Sequence, residues 1–132
     1  MKVLWVSRHI PEDAELAELR TVYGQDMTVD QYGDHVTNIE DVILMAQKYE
    51  VGSVCASLPI KLNQRLLHGL RPLNISLIRP VYRHRDARGN ITAGNRGKFI
   101  GFEQFIELNV VSVRIGTWNI HGDVIPGVTE RE

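Results

Sequence analysis

Two short, largely apolar runs, Val3–Val6 and Val51–Ala56, each end in a serine and pass almost at once into a segment with helical spacing. Buried strands followed by helices of ten or more residues cannot pair as hairpins. They require crossover connections, and so a parallel sheet with helices packed on its faces. Lys2–Ser7 reads as the first strand. Pro11 then suits the first turn of a helix, Glu12, Asp13 and Glu15 suit its positive end, and Leu16, Leu19 and Tyr23 give its apolar stripe before a stop at Gly24. Met27–Gln31 is a weaker second strand, bounded by Gly33.

Thr37-Asn38-Ile39-Glu40 matches a capping box, with Thr37 over the first turn and Glu40 reaching back. The helix it opens carries Ile39, Val42, Ile43, Ala46 and Tyr49 on one face. Val51–Ser57 reads as a third strand, a helix from Pro59 or Ile60 shows Leu62, Leu66, Leu67 and Leu70, and Leu73–Val81 reads as a fourth strand interrupted by Pro80. The expected architecture is a single α/β domain over 1–132, with a mainly parallel sheet flanked by helices and additional C-terminal strands or a hairpin. Residues 1–82 form its βαβ core. Residues 83–98, with turn signals at Gly89-Asn90 and Gly94-Asn95, form a basic loop or hairpin tip, and 99–132 supply late strands and a tail.

Charge is distributed unevenly along this pattern. Residues 11–50 hold ten acidic side chains against Arg20 and Lys48, whereas 51–98 hold nine basic ones against Asp86 alone. The formal net charge of only −1 argues against a non-specific coat on double-stranded DNA. The basic half argues instead for a localised anion site, because field depends on where charge lies. No apolar run is long enough to cross a bilayer and no secretory signal is visible. The single cysteine, Cys55, sits in an apolar run, so a buried, unreactive thiol in a reducing cytoplasm is expected.

In an open parallel sheet, ligands bind beyond the carboxyl ends of the strands where strand order reverses. With the first strand central, that crevice lies between the ends of strands one and three. It brings Ser7, Arg8 and His9 beside Ser57, Leu58 and Pro59, with Arg79 at the end of strand four close by. Both junctions lead into helices whose N-terminal amides attract anions. Plainer readings stand beside these: Ser7 or Ser57 as a helix cap, Arg8 paired with Glu12, His9 without a role, Arg79 as a solvated strand end, and 83–88 as an exposed loop.

Other chemistries lack their residues. No Gly-x-Gly-x-x-Gly follows the first strand, no phosphate loop is present, and Ser57 lacks a nucleophile elbow. The histidines at 9, 35, 68, 84 and 121 are scattered, without metal-ligand spacing. Neither a cofactor nor a metal is expected, which leaves metal-free anion chemistry or binding alone.

The stretches "VSRHIPEDAELA" and "ASLPIKLNQRLL" resemble the small CRISPR-associated, CARF-like proteins, the stand-alone ring nucleases of type III systems. Members carry a similar strand-Ser/Thr-Arg-His-Pro junction and a similar small-residue-Leu-Pro junction; here Ile10 stands between His9 and Pro11. The resemblance implies a Rossmann-like homodimer that binds cyclic oligoadenylate across its two-fold axis. It implies opening of the ring without metal, by attack of a ribose 2′-OH on the adjacent phosphorus. On that reading Arg8 holds the phosphate, His9 is the general acid or base, and Ser7 and Ser57 orient phosphates or ribose hydroxyls. Lys61, Asn63 and Arg79 line the rim, and the 83–88 segment with Arg83 and Arg85 closes over the ring.

Three hypotheses follow. The first is a ring nuclease. The second is a non-catalytic messenger sponge or sensor using the same site. The third is an RNA- or protein-binding accessory module using the basic segment 79–98, with the 7–9 junction merely structural.

Overall fold

A computed structural model describes residues 1–83, 97–106 and 112–118. Six strands form one sheet: β1 (Lys2–Val6), β2 (Thr28–Tyr32), β3 (Ser53–Ala56), β4 (Ser76–Arg83), β5 (Lys98–Phe105) and β6 (Ser112–Ile115). Three helices accompany them: α1 (Asp13–Tyr23), α2 (Ile39–Lys48) and α3 (Ile60–Leu70). The sheet order is β2-β1-β3-β4-β5-β6. The first four strands are mutually parallel, as their intervening helices require. β4, β5 and β6 run antiparallel, so the sheet is mixed rather than simply parallel. No apolar helical stripe follows β4 in the sequence, and an antiparallel return, unlike a parallel one, requires no crossover helix.

Side chains alternate between two buried faces, as strand geometry dictates. On one face Leu4, Val6, Val54, Ala56, Leu77 and Phe105 pack against Val42 and Ala46 of α2 and Leu66, Leu67 and Leu70 of α3. On the other, Val3, Trp5, Cys55, Ile78 and Phe102 pack with Leu19 of α1 and with Met27. Each large apolar side chain withdrawn this completely contributes about 1.5–3 kcal/mol.

Several local readings are corrected. α2 is capped by Asn38, whose side chain accepts the Glu40 N–H at 3.1 Å, and not by Thr37, which lies outside the helix. α1 begins at Asp13 behind Glu12, leaving Pro11 ahead of the first turn. Gly24 does end α1, with φ near 110°, a conformation that favours glycine. Leu73 belongs to a short 3₁₀ turn, Arg71–Leu73, and β4 starts only at Ser76.

Pro80 does not interrupt β4. The last pair between β3 and β4 joins Cys55 to Ile78, so at Pro80 the strand is flanked by β5 alone, opposite Phe102. A proline without an N–H is tolerated on such an unpaired flank. β4 therefore runs on past the end of β3, and this overhang forms a wall beside the sheet's carboxyl edge. The expected basic loop, including His84, Arg85 and Arg88, and the tail from 119 lie outside the described residues. Among the described residues no helix is long and apolar enough to cross a membrane.

Candidate functional site at the sheet's carboxyl edge

Because β2 and β3 lie on opposite sides of β1, strand order reverses between β1 and β3. A cavity of about 240 Å³ opens there, lined by Trp5, Val6, Ser7, His9, Cys55, Ala56, Ser57, Pro80 and Tyr82. Trp5 and Cys55 belong to the α1-side core, so the cavity floor is that face of the sheet.

Three of the site residues expected from the sequence, Ser7, His9 and Ser57, line this cavity together. The first junction is anchored through its backbone. Ser7 N–H donates to Tyr32 O at 3.1 Å, and Gln31 Nε2 donates to Ser7 O at 2.8 Å. His9 N–H donates to Ser7 Oγ at 3.1 Å, while the buried Trp5 indole donates to His9 O at 2.9 Å. The imidazole itself is exposed. Arg8 sits between two lining residues, is exposed, and makes no ion pair with Glu12. Ser7 and Ser57 cap neither helix, since the N-cap positions belong to Glu12 and Pro59.

The other expected residues are placed differently. Leu58 packs against the α2–α3 core, and Pro59 and Lys61 are exposed at the start of α3. Asn63 is buried at 4% exposure; its Nδ2 donates to Ala56 O at 3.5 Å and its Oδ1 has no partner. Arg79 stands away from the cavity. Its guanidinium pairs with Glu103 at 3.4 Å and lies 5.3 Å over the Phe105 ring, on the sheet face opposite Trp5 and Cys55. Arg83 is half-buried, and Arg85 is not among the described residues.

Two groups at the site were not singled out from the sequence as site residues. Tyr82 reaches the cavity from the β4 overhang, and its hydroxyl donates to Glu15 Oε2. Glu15 is fully buried on α1, and its Oε1 accepts the Glu12 N–H at 2.7 Å. Its spacing of four from Leu19 carried a signal, because that places it on the inward face of the helix. Burying a carboxylate costs several kcal/mol, which these two hydrogen bonds offset in part.

The two helix N-termini at the edge are not equivalent. Glu12, Asp13 and Glu15 fill the start of α1 with negative charge, so the expected anion-binding role does not suit it. α3 has no acid in its first turn, no side-chain cap, and Lys61 as its second residue. An anion at this edge is favoured at the Ser57–α3 end and disfavoured at the α1 end. Cys55 adds no nucleophile: burial, reinforced by the nearby Glu15 carboxylate, pushes its thiol well above the usual range.

A wider groove of about 590 Å³ between α2 and α3, lined by Ile39, Glu40, Ile43, Gln64, Arg65, His68 and Gly69, is mostly apolar. Among the described residues no group of three or more His, Cys, Asp or Glu is placed to hold a metal ion. No protein-family model matches the chain, and neither a curated protein nor a solved structure matches it.

Proposed function

We propose that this protein is a ring nuclease, binding cyclic oligoadenylate at the sheet's carboxyl edge and opening it by in-line attack of a ribose 2′-OH. The observation that carries the reading is the convergence of Ser7, His9 and Ser57 on one cavity at the strand-order reversal. Its volume of about 240 Å³ falls just below the range of ordinary small-molecule pockets, roughly 300–1,000 Å³. It accommodates one nucleotide-sized portion and not a whole ring. That suits a two-fold homodimer in which each subunit takes part of a symmetric ligand.

The roles follow from position. The phosphate belongs at Ser57 and the acid-free start of α3, with Lys61 adding charge. Arg8, unpaired and beside the cavity, supplies a guanidinium suited to bidentate phosphate binding. His9 protonates the leaving 5′-oxygen, a task within reach of an imidazole near neutral pH. In-line placement and stabilisation of the developing charge supply the remainder of the rate. The product carries a 2′,3′-cyclic phosphate. Arg79, tied to Glu103, has no part in this scheme.

The test is incubation of the purified protein with cyclic tri-, tetra- and hexaadenylate in EDTA, with chromatography of the products. Linear products ending in 2′,3′-cyclic phosphate support the reading; absence of both binding and turnover with all three rings sinks it. Arg8→Ala is expected to lose affinity and rate together, and His9→Ala to lose rate while keeping most affinity.

One observation favours a second reading, a non-catalytic sponge or sensor for the same messenger. Only the backbone atoms of His9 are hydrogen-bonded, and its exposed ring has no partner to orient it for proton transfer. Tight binding without turnover in the same assay selects this alternative.

A further inference from the structure

The groove between α2 and α3 has walls of opposite charge over an apolar floor. Glu40 stands on the α2 wall and Arg65 on the α3 wall, and both are exposed. Neither makes an ion pair among the described residues. Ile39, Ile43 and Gly69 line the groove between them. A Cβ at Gly69 would overlap the Ile43 side chain, so the glycine lets Ile43 press against α3 and this part of the groove presents apolar atoms. Leu44 lies one helical turn beyond Glu40 on α2 and is 63% exposed, a large apolar side chain left in solvent.

Both helices are crossovers between parallel strands, so they run opposite to the strands and in the same sense as each other. A two-fold axis along the groove therefore lays each α2 over the α3 of a second copy, still in the same sense. Rise per residue is equal on the two helices. A register that sets Glu40 against Arg65 of the second copy thus also sets Leu44, four residues on, against its Gly69. Symmetry repeats both contacts, giving two ion pairs at the edges of an apolar centre. A nucleic-acid backbone is opposed by Glu40, and a helix of uniform charge is repelled by one wall or the other.

We propose that this groove is a self-docking surface, whose partner is the same groove of a second copy of this chain. The pairing lies on the α2–α3 face of the sheet, away from the cavity floor, and does not depend on the ring-nuclease reading. Because the axis runs along the helices, the carboxyl edges of both copies lie at the same end of the dimer.

Charge reversal tests the pairing and its symmetry. Sedimentation velocity of the full chain without ligand, over a range of concentrations, is expected to show a reversible monomer–dimer equilibrium. Glu40→Arg and Arg65→Glu each turn two attractive contacts into two repulsive ones, and each is expected to weaken self-association by about 100-fold. An equimolar mixture of the two variants is expected to recover wild-type affinity as a heterodimer. One contact in it is native and the other reversed on both sides, so both are attractive. That recovery separates loss of pairing from damage to the fold. Leu44→Gln, at a position exposed in the monomer, is expected to weaken association by about tenfold. A wild-type chain that stays monomeric at every concentration overturns the pairing and leaves the groove to a helix of another protein. A dimer that survives both reversals forms through another face and overturns it too. Single reversals that dissociate the dimer without recovery on mixing also overturn it.

Discussion

Trp5 donates its indole N–H to the backbone carbonyl of His9 at 2.9 Å, so a residue of the buried core fixes the loop that carries the site's imidazole. The indole is 2% exposed and packs edge-on against Phe102, with centroids 6.4 Å apart. Core and site therefore share one side chain.

Trp5→Phe keeps an aromatic ring in the core and removes the N–H. The lost hydrogen bond costs about 1 kcal/mol, and the smaller ring adds to that. The sharper effect is local: the amide of His9, which donates to Ser7 Oγ in the loop that the indole fixes, is expected to exchange hydrogen faster than in the wild type. Exchange measured by NMR or mass spectrometry checks this, and uniform acceleration across the core instead of a local change contradicts it.

Stability is expected to fall on the alkaline side. The Cys55 thiol is raised by burial and then by Glu15, so the folded chain keeps a proton that the unfolded chain gives up above pH 9.0. The contribution is complete below that pH and is lost as pH rises toward the folded value, with a slope of at most about 1.4 kcal/mol per pH unit. Tyr23, raised mainly by burial, acts in the same direction above pH 10.0. Urea midpoints between pH 8 and 10.5 check the slope. Cys55→Ala is expected to lower the curve slightly and flatten it just above pH 9.

Much of the site was legible because it follows from topology. Two apolar runs leading into helices imply parallel strands, and parallel strands place Ser7, His9 and Ser57 at one edge whatever the details. Tyr82 was not legible in this role, because Pro80 reads locally as a break. Only pairing with β5, a non-local event, carries β4 on to Arg83. Arg79 was misjudged for the same reason. It stands within a longer strand, and alternation turns it toward Phe105 instead of the cavity. Glu15 was read only as an acid suiting the positive end of its helix, though its register with Leu19 points inward.

Gly101 is required by Trp118 and not by backbone conformation. A Cβ added there falls 2.8 Å from the indole ring, whose N–H donates to Phe102 O at 3.1 Å and whose face is covered by Arg114 at 4.5 Å. A rigid ring gives way poorly, so Gly101→Ala is expected to cost about 1–3 kcal/mol. In a Trp118→Ala background the same change is expected to cost little. Denaturant titration of the four-protein cycle checks this, and equal costs in both backgrounds count against the contact.

The electrostatic contrast between the two helix starts predicts a substitution with opposite effects on fold and function. Ile60 is the first residue of α3 and is 61% exposed, so an acid there disturbs no core. Ile60→Asp places a carboxylate at the positive end of the helix, which stabilises it by about 0.3–1 kcal/mol. The same charge opposes a phosphate bound at Ser57 and Lys61. One unit charge several ångströms away in a solvated setting amounts to about 1 kcal/mol, so affinity for the ring is expected to fall between five- and ten-fold. The loss is expected to shrink at high salt, where exposed charges are screened. Ile60→Asn supplies a polar side chain without charge and is expected to leave affinity unchanged. Calorimetric titration with cyclic tetraadenylate, alongside thermal melts of both variants, reads the two effects separately. A more stable Asp variant with wild-type affinity moves the phosphate away from α3.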